Sequence, residues 1–422
     1  MSEETQGKPF YTADVGNLVA CDEDLHAVLP ALSSGKGPVA ADTERASGFR
    51  YLQKAYLIQL KTAEVGIVLI DPINLSETVL AELDSALRRR QWIIHSASQD
   101  LPALRMSGLH PDSLFDTELC ARLLGYDKVG LGTLVEDIMD VSLAKDHGRS
   151  DWSQRPLPQE WLAYAAGDVE FLIEIAETLQ NELVESGKQT WAEQEFAYVL
   201  KYPGPAPKTN PWRSTKDIHR VTTRRGMAVV KQLWEVRERI AQELDLSPHR
   251  VLHDRMISKL ASRATTTDIT SCLSSFTSRQ WAGIVIQDFH QEFLDALTVV
   301  KDMDEADLPP LKGSRSGLPD PRTWSRRNPE AARRWDVVRP AIVELATHHN
   351  LPIENLIAPS PLKTLLWEID GSELESISTQ LSALEVRPWQ CELVAPVIAG
   401  CLATLSEEMP VSGERVPQSV EQ

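Results

Sequence analysis

The pattern of apolar residues changes near residue 200, and this change constrains the fold of the chain more than any other feature. Before it, short segments rich in β-forming residues, such as 51–61 and 65–71, alternate with amphipathic helical segments. After it, strand signals nearly vanish and the 3.6-residue period of helices dominates. Strands alternating with helices are typical of an α/β layer. We therefore expect an α/β domain with a hairpin at one side, followed by helical domains.

Two segments rich in proline and glycine divide the chain further. The first, 201–212, contains four prolines, and the second, 307–322, combines prolines with glycines. The chain is therefore predicted to contain an α/β domain at 1–200, a linker at 201–212, a helical domain at 213–303, a linker at 304–322, a helical domain at 323–407 and a flexible tail at 408–422.

The two helical segments resemble each other at a fixed offset of 105 residues. With this offset Ile240 aligns with Leu345, and the apolar residues of the following turn and helix coincide as well. The alternative is coincidence between two amphipathic helices, but the shared turn favours two copies of one small helical domain.

Charge is distributed unevenly along the chain. Asp and Glu number 61 against 43 Lys and Arg, a net charge of -18, which argues against a uniformly basic nucleic-acid coat. Residues 201–227 nevertheless hold seven basic residues and one acid, whereas 366–422 hold ten acids and two arginines. The basic segment is a candidate nucleic-acid track, and a solvated linker is the alternative.

The sequence gives no sign of secretion or of a membrane span. The first ten residues lack the basic and apolar regions of a signal peptide. The apolar segment 393–405 is shorter than the ~18 residues that a membrane helix needs. The five cysteines form no Cys-x-x-Cys pair, which disfavours a zinc ribbon and a disulfide framework. We expect a cytoplasmic protein without a membrane partner.

Several acids stand where chemistry could use them. Asp42 and Glu44 are two residues apart on a predicted strand, so both point to one face and could share a divalent cation. Asp100 opens a predicted helix, where an acid equally serves as a cap. Tyr164 and Asp168 share one face of a helix predicted over 159–186. Taken singly, each motif has a structural alternative: a solvated turn, a cap, or a core tyrosine beside an exposed acid.

A cluster of basic residues precedes the tyrosine motif. Lys145, Arg149 and Arg155 fall within eleven residues, and arginine suits bidentate contact with phosphate. The alternative is a solvated loop in which Trp152 fills the core.

In combination these motifs resemble ribonuclease D, a family of 3′→5′ exonucleases in the DEDD superfamily with tyrosine in the last motif. The resemblance covers roughly residues 15–200. It rests on DTE at 42–44, the His-x4-Asp-Leu spacing at 95–101, FDTELCARLLGY at 115–126, SDWSQRPL at 150–157 and YAAGD at 164–168. The helical repeats resemble the HRDC domain that this family shares with RecQ-type helicases. One departure is Gln99, where members often carry Glu, and it should alter only local charge.

The resemblance implies the fold, the reaction and the site. The fold would be an RNase H-like α/β exonuclease domain, with a mixed sheet flanked by helices, plus two all-α HRDC-like domains. Asp42, Glu44, Asp100 and Asp168 would hold two divalent cations, Mg or Mn, with Asp42 bridging them and Tyr164 orienting the attacking water. The reaction would be hydrolysis of RNA from its 3′ end, with tRNA precursors as the expected substrate.

The basic residues expected to contact RNA lie before and after the last motif. They are Lys145, Arg149, Arg155, Arg220, Arg224 and Arg225. Two alternatives remain for the function: a DNA 3′→5′ exonuclease in repair, which would use the same site, and a non-catalytic RNA-binding scaffold. The DWSQRPL string favours the RNA branch.

Overall fold

The computed structural model describes residues 10–143, 147–204, 207–264, 288–313 and 317–407. The chain forms two compact units, each assembled from three segments. The first unit comprises 1–115, 135–175 and 199–314, and the second comprises 116–134, 176–198 and 315–422. Part of the N-terminal α/β segment therefore belongs to the same unit as the helices of 213–303.

A mixed β-sheet forms the centre of the first unit, and this confirms the predicted fold class. Its strand order is β2-β5-β4-β3-β6-β7, with β4 antiparallel to both neighbours and the β3–β6 and β2–β5 pairs parallel. A separate parallel pair joins β1 to β8. The strands are β1 (Phe10–Tyr11), β2 (Asn17–Val19), β3 (Val39–Arg45), β4 (Ala55–Thr62), β5 (Gly66–Ile70), β6 (Gln91–Ile94), β7 (Ser113–Asp116) and β8 (Ser142–Leu143).

Helices cover the sheet because its strands are apolar on both faces. The first six residues of β4 are all buried, as expected of a strand covered on both sides. The helices of this part are α1 (Asp22–Ser34), α2 (Glu77–Leu87), α3 (Leu101–Met106) and α6 (Gln159–Glu170). Helix α6 packs across β3, β4 and β5, and its buried Ala165 and Ala166 let it approach the strands closely.

The helix predicted over 159–186 is two helices in the structure. Helix α6 ends at Glu170, and α7 (Leu172–Glu185) begins after Phe171. Phe171 leaves the helical conformation, and its ring packs edge-on against Tyr11 with centroids 4.9 Å apart. The sequence pattern misses this break because both helices continue the same apolar period.

The first unit also contains the first helical repeat. Its helices are α9 (Arg224–Glu243), α10 (Pro248–Val251), α11 (Asp254–Arg263) and α12 (His290–Asp302), preceded by short 3-10 helices at Pro211–Ser214 and Ile218–Arg220. Helix α9 packs against α11 and α12 around a core that includes Val230, Leu233 and Phe293.

This repeat holds the loop that follows β3. Asp245 accepts hydrogen bonds from the backbone N–H groups of Tyr51 and Leu52, at 3.1 and 2.9 Å, and from the Tyr56 hydroxyl at 3.2 Å. The backbone N–H of Ser247 donates to the Phe49 carbonyl at 3.0 Å. The helical repeat thus fixes residues 49–52, which lead from β3 to β4.

Helices make up the second unit. It draws on α4 (Thr117–Leu124), α5 (Leu131–Ile138), α7 and α8 (Gln189–Lys201), of which α5, α7 and α8 extend beyond it. Its C-terminal helices are α13 (Trp324–Arg327), α14 (Pro329–His348), α15 (Ile353–Leu356), α16 (Pro359–Glu368), α17 (Leu374–Ala383) and α18 (Pro388–Glu407). Trp191 of α8 stacks on Trp389 of α18, with centroids 4.7 Å apart.

The two helical segments are copies of one unit, as the sequence predicts. Helices α9, α10 and α11 become α14, α15 and α16 when their first and last residues are moved by 105 positions. Both copies place a one-turn helix between two longer ones, so the shared turn seen in the sequence is a structural repeat.

Helix α18 is longer than the apolar stretch 393–405 suggests. Within the described ranges it is the one helix whose length and composition would allow it to cross a membrane. Its Trp389, Val394, Ile398 and Leu402 are buried, and it packs against α14 and α17. A core helix of a helical domain meets the same two criteria.

Candidate metal centre

Strand β3 and helix α6 bring three acids to one point. Asp42 and Glu44 project from the same face of β3, and α6 crosses that strand with Asp168 on its last turn. One ligand oxygen from each of the three carboxylates lies within 4.8 Å of the others. The structure therefore places three of the four predicted ligands together, although they are far apart in the sequence.

Asp100 lies beside this cluster and is held by a threonine. Its buried carboxylate accepts a 2.6 Å hydrogen bond from Thr43 Oγ1. It makes no side-chain capping bond to α3, so the capping role is not what it performs. Its charge is among the causes that raise the pKa of Asp42 and of Glu44. The fourth predicted ligand thus faces the same cluster.

Burial and mutual repulsion raise the pKa values of these acids. Burial, followed by the charges of Asp168 and Asp100, raises the pKa of Glu44 to about 9. Burial likewise raises the pKa of Asp168 to about 7 and that of Asp100 to about 6. The pKa of Asp42 rises well above its usual range, chiefly through burial and then through the three neighbouring charges. Such a cluster is stabilised by positive charge placed among its oxygens.

The donor set fits a hard divalent cation. Every ligand atom is a carboxylate oxygen, the donor that Mg²⁺ and Mn²⁺ prefer. Gln59 of β4 pairs with Asp42 across the strands, and its fully buried amide has no hydrogen-bond partner among the described residues. A buried amide without a partner beside crowded carboxylates is expected at a site that takes up a polar ligand.

Tyr164 lies one helical turn before Asp168 and hydrogen-bonds to it. Burial and the nearby carboxylates raise the pKa of its phenol, so the hydroxyl stays protonated near neutral pH. A β-carbon added at Gly148 would lie 3.2 Å from the hydroxyl oxygen, and the His147 ring packs edge-on against the Tyr164 ring. Residues 147–148 therefore cover the tyrosine closely.

Sequence reasoning misses Thr43, Gln59, His147 and Gly148. Thr43 bonds to the distant Asp100, and Gln59 pairs with Asp42 across the strands; the sequence displays neither contact. His147 and Gly148 lie next to the basic cluster and the SDWSQRPL string, and this position is the one feature of the sequence that could have identified them. Trp152 is fully buried and donates from Nε1 to the His147 carbonyl, which confirms its role in filling the core.

The three basic residues before α6 that are predicted to contact RNA differ in what the structure shows of their side chains. Arg155 pairs with Asp71 through two hydrogen bonds of 2.5 and 2.7 Å and also donates to the carbonyls of Tyr56, Trp152 and Gln154. Its guanidinium anchors the loop and is not available to phosphate. Arg149 is exposed and has no hydrogen bond or ion pair with any described residue. Lys145 lies outside the described residues.

The basic residues at the start of α9 and just before it also differ in their surroundings. Arg225 donates to the carbonyls of Val300, Lys301 and Met303 and pairs with Glu305 at 2.9 Å. Arg224 donates to the Leu308 carbonyl. The Arg225 guanidinium thus holds the end of α12 and the Arg224 guanidinium holds the segment after it, and contact of these two residues with RNA stays a prediction. Arg220 is exposed and unpaired among the described residues.

Three family models match the chain. Residues 17–184 match a 3′-5′ exonuclease family, 227–279 match the HRDC domain, and 317–402 match a 3′ to 5′ exonuclease C-terminal domain. The first repeat therefore matches HRDC directly, whereas the second matches a different model.

Curated relatives share the name ribonuclease D. The protein from Jannaschia sp. is 35% identical over 231 residues, which cover 53% of this chain and 59% of that protein. The protein from Psychromonas ingrahamii is 28% identical over 367 residues, covering 85% and 93%. The chain thus spans less than two thirds of the Jannaschia relative and nearly all of the Psychromonas one.

Solved structures agree on the fold. A protein from Bifidobacterium adolescentis is 30% identical with a TM-score of 0.82, covering 94% of this chain and all of that one. Escherichia coli RNase D, described as an exoribonuclease involved in structured RNA processing, is 22% identical with a TM-score of 0.64 over 92% of this chain. At that identity the second likeness concerns the fold alone.

Proposed function

Because this chain belongs to the ribonuclease D family of 3′→5′ exonucleases, we propose that it is a metal-dependent exoribonuclease that hydrolyses RNA from the 3′ end. The observation that carries the proposal is the convergence of Asp42, Glu44 and Asp168 to within 4.8 Å, with Asp100 beside them. A non-catalytic scaffold would have no need of buried acids whose mutual repulsion costs stability.

We propose that these four carboxylates hold two divalent cations, Mg or Mn. When bound, such ions supply charge for the attacking and leaving oxygens of a phosphodiester displacement. The chain's own contribution is to hold the carboxylates in place. Thr43 fixes Asp100, Tyr164 fixes Asp168, and the sheet fixes the spacing of Asp42 and Glu44.

Tyr164 acts in this proposal as a hydrogen-bond donor. Because the pKa of its phenol is raised, it is a poor base near neutral pH. Its hydroxyl lies next to Asp168 and beneath Gly148, where it can orient a water or a phosphate oxygen. Arg149, exposed in the same loop, has no partner among the described residues and remains able to meet RNA phosphate.

We propose precursors of tRNA as substrates and the cytoplasm as location, on the family resemblance. We propose 1–200, 213–303 and 323–407 as domains joined by linkers at 201–212 and 304–322, with a tail at 408–422. The match of HRDC to 227–279 supports the second of these domains.

The test is digestion of one RNA labelled at its 3′ end and, separately, at its 5′ end. The expected result is immediate release of the 3′ label as mononucleotide, stepwise shortening of the 5′-labelled strand, and loss of both reactions in EDTA. A DNA oligonucleotide of the same sequence should be digested more slowly. Equal or faster digestion of DNA would favour the repair exonuclease, and no digestion with Mg²⁺ or Mn²⁺ would contradict the proposal.

A further inference from the structure

The second unit exposes a group of cations whose side chains form no ion pair with any acid of the described ranges. Residues 320–340 contain six arginines and three acids. Arg322, Arg326 and Arg327 are exposed, and Lys363 of α16 is half-buried. None of the four side chains forms a hydrogen bond or an ion pair with the residues that the structure describes. This differs from Arg224 and Arg225 of the first repeat, whose guanidinium groups are bound to carbonyls and a carboxylate.

An aromatic ring stands beside two of these cations. Arg322, Lys363 and Trp335 line an open depression of about 420 Å³. The Trp335 ring packs edge-on against Trp324, with centroids 5.6 Å apart, and Trp324 is fully buried. Because Trp324 is part of the core, Trp335 is held as a fixed wall of the depression. We call Arg322, Arg326, Arg327, Trp335 and Lys363 the α13 face.

We propose that the α13 face binds single-stranded RNA, with backbone phosphates on its four cations and one base on Trp335. Single-stranded RNA offers both groups at once, since its phosphates are charged and its bases are free to stack on an aromatic side chain. Duplex RNA offers phosphates but keeps its bases stacked inside the helix. In a chain of net charge -18, such a group of cations is where a polyanion can be held.

Two acids in the depression refine this arrangement. Asp320 accepts a 2.9 Å hydrogen bond from the Arg322 backbone N–H and so caps the short 3-10 helix at Pro321–Thr323. Asp336 also lines the depression. Carboxylates repel phosphate but accept hydrogen bonds from the amino groups of bases. The base therefore enters the depression, and the phosphates lie on the exposed arginines. The inference rests on the proposed function only in taking RNA as the ligand.

The experiment measures binding separately from hydrolysis. All proteins carry Asp42→Asn, so that the probe, a fluorescein-labelled oligouridylate, is not degraded. The test variant is Arg322→Gln, Arg326→Gln, Arg327→Gln and Lys363→Gln together. The matched control removes four other exposed cations that are unpaired among the described residues, by Lys36→Gln, Arg89→Gln, Lys128→Gln and Lys301→Gln. Fluorescence anisotropy is recorded across a series of salt concentrations.

The test variant should bind the oligouridylate on the order of tenfold or more weakly at low salt. The slope of log affinity against log salt should shrink by about 0.7 for each phosphate that is no longer neutralised. The control should keep the slope of the parent protein. Trp335→Leu should weaken binding by roughly 5- to 100-fold with an unchanged salt slope, because it removes stacking and no charge. If Trp335→Leu lowers the melting temperature, Trp335→Phe keeps a ring in place and should lose less affinity.

The outcomes separate this inference from the proposed function. If the test variant and the control bind alike, whether both keep or both lose affinity, the α13 face is not an RNA site. Digestion of RNA by the unmutated protein would then leave the proposed function standing. If the unmutated protein fails to digest RNA but the test variant alone loses binding, the proposed function fails and the α13 face remains an RNA site.

Discussion

Asp42 lies among three other acids. We expect its charge to help bind the metal and, when no metal is bound, to lower the stability of the fold through repulsion. Asp42→Asn keeps the size of the side chain and removes one charge. We expect nearly complete loss of nuclease activity in saturating Mg²⁺, because an amide is a weak ligand for a divalent cation. In EDTA the variant should melt at a higher temperature than the parent protein, because the repulsion is relieved. Added Mn²⁺ should stabilise the parent and leave the variant nearly unchanged.

The stabilisation in EDTA should depend on pH. A carboxyl group whose pKa is higher in the folded than in the unfolded chain favours folding in its protonated form, so it loses stability as pH rises above the unfolded pKa. With Glu44 at about 9 and Asp168 at about 7, the parent should lose stability between about pH 5 and pH 9. Melting curves across this range should show a smaller loss for Asp42→Asn. A parallel pH dependence in both proteins would contradict the proposed coupling.

Tyr164 and Asp168 hydrogen-bond to each other, but substitutions of the two residues should have different effects. Tyr164→Phe removes one hydroxyl and no carboxylate, so activity should fall by roughly 10- to 1000-fold with metal affinity retained. Asp168→Ala should abolish activity and weaken metal binding. Calorimetric titration with Mn²⁺ distinguishes the two, and equal defects in metal affinity would show that their roles are assigned wrongly.

The candidate site residues differ in how far the sequence could predict them. Asp42 with Glu44, and Tyr164 with Asp168, are close in the sequence, and the periods of strand and helix place each pair on one face. The contact between Thr43 and Asp100 depends on how distant segments meet, which no local period displays. The arginines show the same limit, because a guanidinium looks alike in sequence whether it meets phosphate or a distant carbonyl.

At the scale of elements, the loop after β3 depends on the first helical repeat. Asp245 binds two backbone N–H groups and one hydroxyl of this region from a left-handed conformation with φ of 46°. Asp245→Ala should lower the free energy of unfolding by about 1–3 kcal/mol, because it leaves these donors unpaired. It should also reduce nuclease activity, since the loop continues the strand that carries Asp42 and Glu44.

Asp245→Asn is the matched control for that change. Asparagine keeps an acceptor oxygen and tolerates the left-handed conformation, so the loss of stability should be clearly smaller. Urea unfolding and nuclease rates on a short oligonucleotide measure both effects. An Asp245→Ala protein as active and as stable as the parent would show that the loop does not need this support.

A helix or strand can be predicted from the sequence where its periodic pattern of apolar residues extends over many residues. The helices of the two repeats coincide at the offset read from the sequence, because each buries one continuous apolar face. The two- and three-residue strands β1, β2 and β8 have no counterpart in the predictions, since so few residues establish no period. The break at Phe171 escapes prediction because the contact that replaces the helix there is with Tyr11.

At the scale of the whole molecule, helix α8 belongs with the C-terminal helices although all but its last residue lies within 1–200. Trp191 stacks on Trp389, and Glu195 accepts hydrogen bonds from Arg387 at 2.7 Å and from Trp389 Nε1 at 2.8 Å. A chain that ends at residue 199 would lose these partners and also Asp245. We therefore expect it to melt at a lower temperature than the full chain and to digest even short oligonucleotides more slowly.

A chain that ends at residue 407 is the control for this truncation, because it keeps every element described. It should match the full chain in melting temperature and in activity on short oligonucleotides. Circular dichroism and tryptophan fluorescence measure the melting temperature of each protein. If the chain ending at residue 199 melts and digests like the full protein, α8 and the loop after β3 do not need their C-terminal partners.

The interleaving of the two units bears on how the protein forms as it leaves the ribosome. The last residue of the acid cluster, Asp168, is synthesised well before Asp245, which fixes the loop after β3. Helix α4 and the end of α7 belong to the second unit, whose remaining residues begin at 315. Domains usually fold one after another during synthesis. Here the first unit cannot close before residues up to 314 have emerged, so the nascent nuclease should become protease-resistant and active only after about three quarters of these 422 residues have been synthesised.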